Sequence, residues 1–184
     1  AYDLDQSAAD RFKQHVLAMG IQEVQMMPPE QIAKATDFLI TVTAKKGQDP
    51  ILYHDWLREG MHISAVGGDA PGKTELEAAI VQRATLIADY WPQTEVEGES
   101  QQRSQRRRDD LSVYDLIAHT DHNNTLYDQL TVFDSVGFAL EDFSALVFLY
   151  DLIKAHHQFD QSFLPDLGGN YDVKDLYGWM LGSA

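Results

Sequence analysis

The run Gly60-Met61-His62-Ile63-Ser64-Ala65-Val66-Gly67-Gly68-Asp69-Ala70-Pro71-Gly72-Lys73-Thr74-Glu75-Leu76 decides the fold. Residues 61–66 are short and mostly apolar and end on two glycines, the pattern of a buried strand feeding a tight loop. Pro71 and Gly72 hold a turn, and Thr74-Glu75-Leu76 reads as the start of a helix. Asp69 therefore falls just past the carboxyl end of a strand, the place where open α/β sheets bind ligands.

The same residues also fit a phosphate-loop pattern, with Gly67, four residues, then Gly72-Lys73-Thr74. Two details weigh against it. Asp69 places a negative charge inside a cradle meant for phosphates, and Pro71 removes one of the N–H groups such a cradle uses. The apolar run 145–151, ending on Asp151, resembles a magnesium-binding strand, but its length and lack of breakers favour a helix. A nucleoside triphosphatase binding ATP and magnesium is thus the weaker reading.

Outward from this stretch, helices alternate with apolar strands. Residues 7–19 are expected to be helical, with Asp5 or Ser7 as the cap and Gly20 as the stop. Residues 23–27 read as a short strand, and Pro28-Pro29 opens a second helix through Ala35. Residues 38–42, 85–89 and 130–133 read as further strands, and residues 136–155 as a wide-faced core helix beginning near Ser135. An N-terminus there would help hold a carboxylate or phosphate. Residues 171–181 form a short amphipathic piece after Gly168-Gly169. The alternation predicts an α/β fold with a doubly wound, Rossmann-like parallel sheet. In such a fold the acid at the end of the second strand binds the adenosine ribose, which is the place of Asp3. A carboxylate there repels a 2′-phosphate, favouring NAD over NADP.

The chain has 184 residues and is 44% hydrophobic, enough for a packed core. No apolar run approaches membrane-spanning length, and no signal peptide is visible. The net charge of −15 repels nucleic acid and anionic membranes. There is no cysteine, which excludes disulfides and thiolate metal sites. His119 and His122 have H-x-x-H spacing without a third ligand nearby, so no metal site is expected. Arg103, Arg106, Arg107 and Arg108 are followed at once by Asp109 and Asp110 and read as a solvated loop; the Glu97-Gly98-Glu99 carboxylates read as a solvated helix face.

Four ordered motifs resemble the ornithine cyclodeaminase and mu-crystallin family. They are Gly60, His62, Val66, Gly67, Asp69, Pro71, Gly72, Lys73, Glu75 and Leu76; Glu97-Gly98-Glu99 with Gln101-Gln102; residues 131–137; and Ala139-Leu140-Glu141-Asp142. The wording is most similar to the ornithine cyclodeaminases. The resemblance implies a lyase that converts L-ornithine to L-proline and ammonia, with NAD taking a hydride from the α-carbon and returning it. It implies Asp69 as the catalytic carboxylate, also touching substrate with Val136. Asp3, Thr43, Lys73 and Ser135 are implied to contact NAD, with residues 65–68 (Ala65, Val66, Gly67 and Gly68) approaching through backbone. It further implies proline biosynthesis in the cytoplasm by a homodimer. Related readings are an imine reductase, an amino-acid dehydrogenase, or a non-catalytic NAD-binding module of the mu-crystallin type.

The resemblance matches the C-terminal, NAD-binding half, with residues 1–155 as a partial dinucleotide-binding domain and residues 156–184 as a helical extension. The first strand, the glycine-rich loop and the substrate-carboxylate-binding Lys and Arg have no counterpart in these residues. In strand order 3-2-1-4-5-6 the first strand is central. The expectation is therefore that this stretch alone is inactive, leaves two apolar strand edges facing a gap, and does not form an intact sheet. A separate or companion polypeptide would then supply the missing strand and loop.

Overall fold

The computed structural model describes residues 1–44, 47–118 and 123–155. The chain divides into two compact units, Ala1–Phe138 and Ala139–Ala184. The first is built on one five-stranded, wholly parallel sheet. Its strands are β1 (Phe38–Thr41), β2 (His62–Ala65), β3 (Thr85–Ala88), β4 (Leu111–Ser112) and β5 (Thr131–Asp134), in the order β1-β2-β5-β3-β4. The helices of this unit are α1 (Gln6–Ala18), α2 (Pro29–Ala35), α3 (Ala78–Arg83), α4 (Trp91–Glu97), α5 (Val113–Ala118) and α6 (Asn123–Leu126). Parallel strands need crossovers, and these helices and loops supply them.

The strand register explains the core. Leu39, Ile63, Val132 and Leu86 lie opposite one another across β1, β2, β5 and β3. All four are at most 8% exposed and join Ile80, Val81, Leu76 and Leu52 in one cluster. Each such side chain contributes about 1.5–3 kcal/mol by leaving water. On the other face Phe38 stacks on His62, with ring centroids 5.4 Å apart. His62 Nδ1 lies 2.8 Å from Thr131 Oγ1, and burial holds its pKa below the usual histidine value. Phe38 and Ile40 remain exposed there.

Helix ends follow the sequence chemistry. Asp5 caps α1 by accepting from the amides of Ser7 and Ala8. Pro28 and Pro29 open α2. Several expectations need correction. Thr74-Glu75-Leu76 does not begin a helix, because Glu75 turns inward and α3 starts only at Ala78. Residues 23–27 form no strand; their backbone bonds to residue 1, through Ala1 N–Gln25 O and Met27 N–Ala1 O. β4, two residues long, was too short to read from alternation. The sheet is continuous where a gap was expected, with β1 and β4 as its two ends.

In the second unit, α7 (Ala139–Ala155) begins four residues after Ser135. It carries Leu140, Phe143, Leu146 and Phe148 among its apolar side chains. No helix among the described residues is long and apolar enough to cross a membrane. His119, His122 and residues 171–181 lie outside the described residues.

The arginine run is exposed at Arg106, Arg107 and Arg108 as expected, but the Arg103 side chain is buried. Arg103 donates twice to Asp110, at 2.8 and 2.9 Å, with side chains 3% and 0% exposed. Arg103 also donates to Ala84 O, and Asp110 accepts from the amides of Leu86 and Arg107. Arg106 lies over the Trp91 ring, 4.5 Å from its centroid. The ion pair therefore anchors the loop before β4 to the start of β3. Asp110→Ala would strand a buried guanidinium. We expect a loss of about 3–5 kcal/mol in chemical denaturation of the full-length protein; a loss below about 1 kcal/mol would mean that water reaches Arg103.

Candidate functional site

The carboxyl ends of β1, β2, β3 and β5 converge on one cluster of loops. Register places Thr41, Ala65, Asp134 and Ala88 side by side at these ends. Val66 and Gly67 donate their amides to Thr41 O, and Ser135 donates its amide to Ala65 O. The structure thus brings Thr43, residues 65–68, Ser135 and Val136 to the same edge. Thr43 and Val66 are exposed there, whereas Thr41 and Ala65 beneath them are buried.

Asp69 follows directly. Its side chain is 53% exposed and pairs with Lys73 Nζ at 2.7 Å. Lys73, implied as a cofactor contact, holds Asp69 with its ammonium, and its side chain is 14% exposed. The turn between them closes through Lys73 N–Ala70 O, with Gly72 at φ 75°, a conformation glycine adopts without strain. Gln101 fixes this turn from outside: its Oε1 accepts from Gly72 N, and its Nε2 lies 3.3 Å from the carbonyls of both Ala70 and Lys73. Asp3 stands apart. It is exposed before α1 and accepts from Asp5 N; among the described residues no hydrogen bond joins it to the strand ends.

Four carboxylates beneath these loops hold them in place. Asp134, 0% exposed at the end of β5, accepts from the amides of Glu99 and Ser100, each at 2.8 Å. Glu99, also 0% exposed, accepts from the amides of Glu75 and Leu76 and from Gln102 Nε2. Glu75, 1% exposed, accepts from Thr43 N at 2.6 Å and Thr43 Oγ1 at 2.5 Å. Asp89, at the end of β3, uses one oxygen to accept from Ser135 Oγ, Val136 N and Gly137 N. These bonds consume the amides expected to open a helix near Ser135, which is why that segment offers no helix N-terminus.

The glycines fit this arrangement. A Cβ on Gly67 would overlap the Glu75 carboxylate; one on Gly68 would lie 2.7 Å from Glu99 Oε1, and one on Gly98 2.5 Å from Asp134 Oδ1. None of the three has positive φ. Their role is to admit a carboxylate against the backbone. This removes the phosphate-loop reading: the interior of Gly67–Thr74 is approached by carboxylates, and no helix follows Thr74. Glu75, Glu99, Gln101 and Asp134 lie within matched motifs, yet sequence assigned them no role; Glu99 was read as solvated. Asp89 had no signal beyond its position at a strand end.

Burial dominates the electrostatics of this layer. Desolvation pushes Glu99 up to about 8 and Asp134 up to about 6, opposed by the amide bonds each accepts and reinforced by neighbouring carboxylates. Both pKa values lie above their ordinary values of 4.5 and 3.8, so the folded chain binds more protons than the unfolded chain between those limits. The contribution of these two groups to stability then falls as pH rises from about 4.5 to about 8. Glu99→Gln should flatten the upper part of this slope, between about pH 6 and 8, in thermal melts across pH. An unchanged slope would place Glu99 in the ordinary carboxylate range.

Known proteins share this chain's sequence and architecture. The family model for the ornithine cyclodeaminase/mu-crystallin family matches residues 1–157. An ornithine cyclodeaminase from Brucella suis is 38% identical over 183 residues, covering 98% of this chain and 49% of the relative. The chain spans about half the length of the curated relatives it matches. A solved lysine cyclodeaminase, described as recognising L-lysine, L-ornithine and L-2,4-diaminobutyric acid, superposes with a TM-score of 0.76 at 34% identity, over 84% of this chain and 45% of that one. An archaeal alanine dehydrogenase dimer with bound NAD gives 0.73 at 27% identity, over 85% and 49%.

Proposed function

This chain belongs to the ornithine cyclodeaminase/mu-crystallin family, and from that premise we propose that it supplies the nicotinamide-side wall and the catalytic carboxylate of an NAD-dependent ornithine cyclodeaminase. The activity belongs to a protein of the relatives' full length, which forms a homodimer in the cytoplasm and makes L-proline. The observation that carries the reading is Asp69, the half-exposed carboxylate of the loop after β2, beside strand ends that expose Thr43 and Val66.

The residues present fit one end of NAD. The strand ends are open above a buried carboxylate floor, and Thr43, Ser135 and the backbone of residues 65–68 lie along them. When bound, NAD supplies a hydride acceptor and donor. Thr43, Ser135 and residues 65–68 hold and orient it, and Asp3 accepts from the adenosine ribose. Lys73 pairs with Asp69 at 2.7 Å and holds it beside the strand ends. Asp69 then stabilises positive charge developing on the substrate nitrogen and moves a proton to and from it. Val136, set by Asp89, bounds the substrate's side. A second reading, an amino-acid dehydrogenase of the same family, is favoured by the 29% identity to an alanine dehydrogenase from Archaeoglobus fulgidus.

Incubating the full-length protein with L-ornithine and NAD separates the readings. A cyclodeaminase releases ammonia and proline without net NADH, whereas a dehydrogenase accumulates NADH. Asp69→Asn keeps shape and removes charge, and should cut kcat by about 100-fold or more with NAD affinity within about twofold. Unchanged turnover would remove Asp69 from the chemistry. Asp3→Ala should weaken NAD about tenfold and reduce discrimination against NADP; equal preference in the wild type and the variant would reassign the ribose contact.

A further inference from the structure

A hydrogen bond between two residues of one turn shapes the turn without fixing its place against the sheet. The ion pair of Asp69 with Lys73 and the bond from Lys73 N to Ala70 O are both of this kind. Among the described residues, the hydrogen bonds that reach residues 69–73 from outside all come from one side chain, Gln101. Its Oε1 accepts from Gly72 N at 2.7 Å, and its Nε2 lies 3.3 Å from both Ala70 O and Lys73 O. The same Nε2 donates to Gly98 O at 2.7 Å, which sets the orientation of the amide. The cradle needs an acceptor and an NH2 donor at the end of one side chain, which a primary amide supplies. Gln101 itself lies in a short 3₁₀ turn, Glu99–Gln102, whose amides at Glu99 and Ser100 are accepted by Asp134 at the end of β5. Ser135 and Val136 follow Asp134 directly in the chain.

We propose that Gln101 is the positioning residue for the Asp69 carboxylate. It ties the 69–73 turn to the Asp134 anchor from which Ser135 and Val136 also leave, and so sets where the carboxylate stands relative to them. The inference rests on the reading of Asp69 as the catalytic carboxylate and deepens it. Gln101 touches neither substrate nor cofactor in this account; it acts through the backbone of Ala70, Gly72 and Lys73. Charge stabilisation and proton transfer both depend on the carboxylate lying within reach of the reacting nitrogen, so a turn released from Gln101 keeps the charge and loses its placement.

The test is a double-mutant cycle in the full-length protein, read as proline formed from radiolabelled L-ornithine. Turnover is expressed per NAD-binding site counted by calorimetry, so unfolded protein does not enter the comparison. Gln101→Met keeps the side-chain volume and removes every bond of the amide; it should lower kcat about tenfold. In an Asp69→Asn background the same change should lower kcat by less than about twofold, because the charge whose place it disturbs is already gone. A glutamine that merely stabilised the fold would cost the same factor in both backgrounds. Gln101→Glu is the second variant, should Gln101→Met fold poorly. It still accepts from Gly72 N but turns lone pairs toward the carbonyls of Ala70, Lys73 and Gly98, and should lose kcat by a similar factor. Wild-type kcat in both Gln101 variants, or an equal loss with Asp69 and with Asn in its place, would each overturn the proposal. Wild-type turnover in Asp69→Asn alone would instead overturn the catalytic reading of Asp69, and this inference with it.

Discussion

The constraint on which the rest depends is the packing of carboxylates against glycine backbone beneath the loops of a parallel sheet. Asp134 against Gly98, Glu99 against Gly68 and Glu75 against Gly67 occupy space that any other residue's Cβ would claim. Each carboxylate then accepts amides from the next segment of the sequence: Asp134 from residues 99 and 100, Glu99 from 75 and 76, and Glu75 from 43. Groups buried this deeply are costly unless hydrogen-bonded. Satisfying them requires the loops to sit where they do, so the layer specifies loop positions at the expense of desolvation.

This layer separates two tasks within one acidic cluster. Glu75, Glu99 and Asp134 face inward and bind backbone, while Asp69 faces water with Lys73 as its partner. Asp89 lies between these extremes, half-buried, and binds Ser135, Val136 and Gly137. A carboxylate that must move protons needs access and a counter-charge; one that must hold a loop needs burial and several N–H donors. By residue type these five acids are indistinguishable. Their division of labour comes from the sheet, which turns some inward and lets one outward.

Much of the fold was legible in the residues. Apolar runs ending in Gly or a polar residue gave four of the five strands, because a parallel strand buried on both sides leaves a continuous apolar signature. Asp5, Gly20 and the Pro28-Pro29 pair gave the limits of α1 and α2 through capping chemistry. The motif around Asp69 gave the family. Where sequence failed, solvent exposure was the missing variable. Glu99 and Arg103 look like surface residues by type, and both are buried. The helix expected at Thr74 was overridden because Glu75 reaches for Thr43 instead of water.

The sequence by itself determined that apolar strands alternate with helices, that Asp69 follows a strand, and which family the chain belongs to, since these depend on local pattern and residue order. Only the tertiary structure decided that the sheet runs β1-β2-β5-β3-β4, that Gly67, Gly68 and Gly98 are needed for clearance, and that Thr43 is tied to Glu75 across 32 positions of sequence. These are contacts between residues distant in the chain. Hydrophobic periodicity carries no record of them, because they arise when the strand ends come together and a buried charge finds whichever donor lies opposite.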